Sequence, residues 1–119
     1  MIDNDEILID SETRISQLLK GFNTAFPFLR LEIYRKGDKM SIDHRDFRLF
    51  ELGNLKSPQS FSISGELKVK EMEALFKSKL GLDVAIFRKM GSSEVETTFT
   101  SQWTLNHQNH KGQEIHQTI

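Results

Sequence analysis

The chain of 119 residues contains no cysteine, only two prolines and a single tryptophan. The lack of cysteine excludes disulfides, thiolate nucleophiles and cysteine-based zinc or iron–sulfur sites, and it favours a reducing compartment. No apolar run is long enough to resemble a membrane span, and the acidic start at residues 1–6 is unlike a signal peptide. We therefore expect a cytoplasmic protein with no membrane contact.

The chain also lacks an excess of either charge. Sixteen Lys and Arg stand against seventeen Asp and Glu, which gives a net charge of −1. Proteins that bind nucleic acid through its phosphates are usually basic, so this balance argues against nucleic acid as the main partner. Glycine-rich phosphate loops, nucleophile motifs and well-placed carboxylate pairs are absent too, so the sequence indicates neither an enzyme nor a cofactor.

What the chain does contain is an internal repeat with an offset of about 54 residues. Residues 7–11 align with 61–65, and residues 33–36 align with 86–89 after a one-residue slip. The apolar residues between these segments also coincide: Ile15 with Val69, Leu18 with Met72, Phe22 with Phe76, and Phe26 with Leu80. We expect one domain, 1–119, made of two repeats at about 6–53 and 60–112.

Apolar periodicity predicts the same elements in each repeat. The first repeat is predicted to hold a strand at 6–10, a helix at about 13–26 that Pro27 ends, and a strand at 29–34. The second holds a strand at 60–64, a helix at about 68–80 and a strand at 82–88. Each repeat continues into a hairpin return, predicted at 95–99 in the second repeat, and then into a short helix. Gly112 is predicted to end the last helix.

Two βαβ units predict an α+β fold with a ferredoxin-like (split βαβ) sheet. In that arrangement the first strands of the two units are central, the second strands lie at the edges, and both helices cover one face. The hairpins and short helices are extensions of this plan. The same repeat also permits two βαββα halves packed about a pseudo-twofold axis, although we favour the split βαβ sheet.

The repeated aromatic and basic strand ends are the main candidate interaction surface. This surface consists of Tyr34, Arg35, Lys36, Phe87, Arg88 and Lys89. Strand alternation places the aromatic ring of each repeat, and the lysine two residues later, on the face away from the helices. Rings beside cations suit stacking on bases, so nucleic acid or another anionic ligand is the alternative function. We favour cations that protect open strand edges and rings that pack under a hairpin or a partner.

Histidines supply the remaining candidates. His107 and His110 are three residues apart on a predicted helix, and Glu114 and His116 follow, which is a spacing that suits a divalent metal. The segment is short, polar and without an evident second shell, so we predict no metal site. His44 has an aspartate beside it, but adjacent residues on a helix do not face each other, so we predict no catalytic site there.

The stretch Glu96-Thr97-Thr98 through Trp103-Thr104-Leu105 to Gln108-Asn109 resembles a pattern in small bacterial α+β proteins that share the second repeat. The resemblance covers roughly the last half of the chain and implies no activity. Within it, Trp103 precedes the threonine predicted to cap the last helix. This position suits an anchor that packs its own terminus.

These observations predict a non-enzymatic interaction module. Each repeat supplies an edge strand with unpaired backbone groups and an aromatic ring on a face that no repeat helix covers. A symmetric homodimer covers both with one self-complementary patch, so we expect self-association through an open sheet face or edge. A different protein is the other partner to consider.

Overall fold

The computed structural model describes residues 6–10, 12–41, 45–53 and 59–117. The strands are Ile7–Ile9 (β1), Leu29–Arg35 (β2), Asp38–Lys39 (β3), Phe61–Ile63 (β4), Asp83–Met90 (β5) and Ser93–Glu96 (β6). The helices are Ile15–Ala25 (α1), Leu49–Leu52 (α2), Val69–Leu80 (α3) and Leu105–Gln117 (α4), and a 3-10 turn, Thr97–Thr100, precedes α4. The fold is α+β, as predicted.

The helices begin with similar local contacts. The backbone N–H of the residue before the helix donates to a side chain three positions later: Arg14 to Gln17 in α1, Arg48 to Glu51 in α2 and Lys68 to Glu71 in α3. Each contact satisfies a backbone donor that lacks a helical partner. At its other end α3 stops at Gly81, whose φ of 72° is the left-handed conformation that glycine adopts without strain.

Strand pairing shows that the two repeats are related by a pseudo-twofold axis. β1 pairs with β4 in a two-stranded ribbon, and β3-β2-β5-β6 form a four-stranded antiparallel sheet. Leu8 lies opposite Ser62 in the ribbon, and Glu32 lies opposite Ala85 in the sheet. Each of these pairs is aligned by the sequence repeat, so a local twofold axis passes through the middle of each ladder. The molecule therefore consists of two βαββα halves.

Backbone contacts between the helices repeat the same symmetry. In each half, the starts of the two helices exchange hydrogen bonds with the residues that precede them. These bonds run from Ile15 N–H to Phe47 O (2.9 Å), Leu49 N–H to Thr13 O (2.8 Å), Val69 N–H to Trp103 O (3.0 Å) and Leu105 N–H to Leu67 O (2.9 Å). The second pair of bonds reproduces the first at structurally equivalent positions, so the halves share one local plan.

The predicted ferredoxin-like strand order is not confirmed. It required β1 and β4 at the centre of the main sheet, whereas they form a separate ribbon and β2 and β5 are the central pair. Strand length gives the physical reason. β2 and β5 have seven and eight residues, but β1 and β4 have only three each, so the longer strands form more ladder hydrogen bonds at the centre.

One hydrophobic core joins the halves. The repeat-aligned apolar residues are all at most 2% exposed, as predicted: Ile15, Leu18, Phe22, Phe26, Val69, Met72, Phe76 and Leu80. They share a single cluster with Leu29, Leu31, Ile33, Val84 and Ile86, which are the alternate residues on one face of β2 and β5. Within the described ranges, no helix packs on the other face of the four-stranded sheet, which we call the open face.

The halves differ most in their last elements. α4 has 13 residues where α2 has four, and it continues through Gly112, which was predicted to end it. A β-carbon at Gly112 would lie 2.8 Å from the Phe28 Cβ, so this glycine allows α4 to approach the loop before β2 closely. None of the helices in the described part of the chain has the length and apolar character needed to cross a bilayer.

Candidate interaction surface

The open face of the four-stranded sheet is the candidate site that the sequence indicated. Strand register assigns to it Arg30, Glu32, Tyr34, Lys39, Asp83, Ala85, Phe87, Lys89, Glu94 and Glu96. This set contains three cations and four carboxylates. The face is therefore charge-balanced, with a small acidic excess.

Glu32 lies at the centre of the open face and holds most of its polar contacts. Its carboxylate pairs with Arg30 and with the Lys39 Nζ at 3.2 Å, and it accepts a hydrogen bond from the Tyr34 hydroxyl. Burial alone would raise the pKa of Glu32. Hydrogen bonds from Tyr34, Arg30 and Lys39 outweigh burial and lower the pKa to about 2. The carboxylate is thus charged at neutral pH.

Arg30 links β2 to β5, the strand beside it, and to β6, the next strand of the sheet. Its Nη2 lies 2.8 Å from the Glu94 Oε1 on β6, and its guanidinium carbon lies 4.5 Å from the centre of the Phe87 ring on β5. The hydrogen bond to Glu94 is the main cause of a raised pKa at Arg30. Three strands are thus joined by one side chain.

The two aromatic rings lie on the open face, as strand alternation predicted. Tyr34 is opposite Asp83 and Phe87 is opposite Arg30, so the rings are four residues, or about 13 Å, apart along the sheet. Both are half-buried. The hydrogen bond to Glu32 raises the pKa of Tyr34, and the guanidinium of Arg30 covers the Phe87 ring.

The four basic residues of the predicted surface occupy three different places. Arg35 and Lys36 are exposed at the β2–β3 turn, where Lys36 has φ 51° and Gly37 has φ 86°. Lys89 is on the open face, and no described residue forms an ion pair with it. Arg88 lies on the opposite face, under α4. The six predicted residues therefore do not form one continuous surface.

Arg88 belongs to a polar cluster that fastens α4. Its Nη1 donates to the Gln108 Oε1 at 2.8 Å, and the buried Gln108 amide donates to the Thr100 carbonyl at 2.9 Å. Burial lowers the pKa of Arg88, and its guanidinium lies 5.3 Å from the Trp103 ring. The Thr104 hydroxyl accepts the His107 N–H at 3.1 Å, as predicted for a helix cap.

The histidines of α4 point to different neighbours. The His107 ring packs edge-on against Trp103 at 4.5 Å, His110 pairs with Glu114 at 3.2 Å, and the His116 ring lies 5.5 Å from Phe28. Among the residues that the structure describes, no three potential metal-binding side chains converge. His44 lies outside the described residues.

Sequence reasoning missed the most exposed aromatic residue. Phe99 was predicted within a returning strand, but β6 ends at Glu96 and a 3-10 turn follows. The turn forms because the Thr97 hydroxyl donates to the Ile86 carbonyl at 2.8 Å, and Phe99 then projects into solvent with 101% of its reference area exposed. An aromatic residue in a threonine-rich segment is typical of a strand, so no sequence signal indicated this turn.

No protein-family model, curated protein or solved structure matches this chain. The resemblance of its last half to small bacterial α+β proteins stays a prediction. Function has to be argued from the geometry of the molecule.

Proposed function

We propose that this chain is a non-enzymatic interaction module that self-associates through an open face or edge of its four-stranded sheet. The observation that carries the proposal is that one face and the outer edges of the sheet are not covered by other elements of the described structure. Within the described residues no helix packs on the open face, and β3 and β6 have no strand partner on their outer sides. Unpaired strand edges are ready to hydrogen-bond to another chain. The lack of cysteine supports a cytoplasmic location for this module.

Contacts on the open face favour an edge over the face as the point of association. Glu32 and Arg30 already have charged partners within their own chain. Packing a second copy on the face would remove these ion pairs from water, which is unfavourable. The β6 edge, in contrast, is exposed along its whole length.

Nucleic acid or another anionic ligand has weaker support as the partner. Arg88 is turned away from Lys89, and the cations of the open face stand among four carboxylates. A phosphate backbone would meet repulsion as well as attraction there. No contact in the described residues favours this alternative over a protein partner.

Sedimentation velocity of the wild-type chain tests the proposal. We expect the sedimentation coefficient to rise between roughly 1 and 500 µM, which is the range of weak protein associations. A coefficient that stays at the monomer value across this range would refute self-association. Light scattering at the same concentrations measures the mass independently.

A further inference from the structure

A groove lies along the outer edge of β2. It has a volume of about 440 Å³. Its floor is apolar and is formed by Leu19, Leu31, Ile33 and Met40. Lys39 and Lys89 are two of the basic residues at its rim. The groove exists because β3 pairs only with Tyr34 and Arg35, so the rest of the β2 edge has no strand beside it in the described structure. Its size and mostly apolar floor are typical of binding sites.

The second half has different contacts at the aligned position. The Ile33 carbonyl accepts the backbone N–H of Met40 at 2.8 Å, but the aligned Ile86 carbonyl accepts the hydroxyl of Thr97, which begins the 3-10 turn. Glu73 also stands in α3 where α1 has Leu19. The first half therefore has an apolar groove at the position where the second half has the 3-10 turn and the charged side chain of Glu73.

The opposite edge of the same sheet carries a projecting apolar group. Phe99 is fully exposed and Val95 is 38% exposed. Glu96 precedes the turn, and among the described residues neither Glu96 nor Glu73 forms an ion pair with a cation. Burial, followed by the charge of Glu96, raises the pKa of Glu73, which agrees with an acidic patch that lacks a local cation.

We propose that Phe99 of one copy enters the β2 groove of a second copy, so that the chain assembles head to tail. The aromatic ring matches the apolar floor of Leu19 and Met40. The carboxylate of Glu96 matches the ammonium group of Lys89 at the rim, and neither has an ion-pair partner among the described residues. Because the ring and the groove lie on opposite edges of the sheet, one contact leaves a free ring and a free groove at the two ends. Such an interface is heterologous and extends as concentration rises. This inference rests on the proposed self-association and names the surfaces that carry it.

Two variants test the two sides of the interface separately, one the ring and the other the groove. Phe99→Asp removes the ring but leaves the groove intact. Leu19→Glu places a carboxylate on the groove floor and leaves Phe99 intact, and it copies the residue that α3 carries at the aligned position, Glu73. Circular dichroism and thermal unfolding show whether each variant is folded. Thr98→Asp is the matched control, since it adds the same charge at an exposed neighbour of Phe99.

Sedimentation velocity of each variant alone and of their mixture tests the proposal. We expect each variant alone to associate at least 10-fold more weakly than the wild type, and Thr98→Asp to associate like the wild type. The equimolar mixture should form a 1:1 dimer and nothing larger, because one intact ring can enter one intact groove. If Leu19→Glu does not fold, Lys89→Glu replaces it, and its mixture with Phe99→Asp should likewise give a dimer.

The outcomes distinguish this inference from the proposed function. If the wild type associates and Phe99→Asp associates equally well, the head-to-tail contact is wrong although self-association stands. A mixture that stays monomeric beside an associating wild type also overturns the head-to-tail contact. A wild type that is monomeric at all these concentrations overturns both self-association and the head-to-tail contact.

Discussion

Truncation of the two repeat-aligned phenylalanines tests the core most directly. Phe22 and Phe76 are both completely buried. The Phe76 ring packs edge-on against Phe61 at 5.3 Å, and the Phe22 ring lies 5.2 Å from Phe26. Replacing a buried phenylalanine with alanine removes its burial energy and leaves a cavity, so Phe22→Ala and Phe76→Ala should each cost about 3 to 5 kcal/mol. A domain of this size is stable by about 6 to 18 kcal/mol, so either loss is large.

Urea denaturation followed by circular dichroism measures both losses. Because the halves share one plan, the two variants should lose similar amounts of unfolding free energy. Phe99→Ala is the control, and its fully exposed ring should change stability by less than about 0.5 kcal/mol. A loss below about 1.5 kcal/mol at either buried position would place that ring outside the core and refute the reasoning.

Three further predictions concern charge, helix packing and metal. Glu32 has its pKa lowered from 4.5 to about 2, so its stabilising contribution is complete above pH 4.5 and is lost as the pH falls towards 2. The thermal midpoint of Glu32→Gln should therefore fall less steeply across that window, and an equally steep fall would contradict the ion pairs. Gly112→Ala should destabilise by about 1 to 3 kcal/mol through its clash with Phe28, whereas Gly21→Ala in α1, where a β-carbon meets nothing within 4 Å, should stabilise by about 0.5 to 1 kcal/mol. Zinc should leave the thermal midpoint unchanged, and a stoichiometric rise that His107→Ala abolishes would show a metal site in α4.

Local pattern was sufficient to predict the faces of the strands and helices. Leu29, Leu31 and Ile33 alternate with polar residues, and the structure buries all three while Arg30 and Glu32 reach the open face. The apolar face of each helix is buried in the same way. These features depend on a period of two or 3.6 residues, which can be read within a single element.

Pairing between elements could not be predicted in the same way. Periodicity assigns a residue to a face but does not name the neighbouring strand, so the ribbon of β1 and β4 was missed. Gly112 shows the same limit. Glycine is common just after a helix ends, and the close approach of Phe28 that favours a glycine inside α4 is not visible in the local sequence. The Thr97 hydroxyl likewise acts on Ile86, eleven residues earlier. Each of these outcomes depends on a contact distant in the sequence.

The differences between the halves bear on function more than their similarity does. Residues aligned by the repeat preserve the core and the helix starts, which are needed for folding. The sheet edges diverge. The edge strand of the first half, β3, has only two residues and leaves a groove, whereas the edge strand of the second half, β6, has four residues and is followed by the turn that exposes Phe99. A perfectly symmetric pair of edges would offer two grooves or two projecting rings and could not join head to tail. Divergence at the edges therefore supplies the two unlike surfaces that a heterologous contact requires.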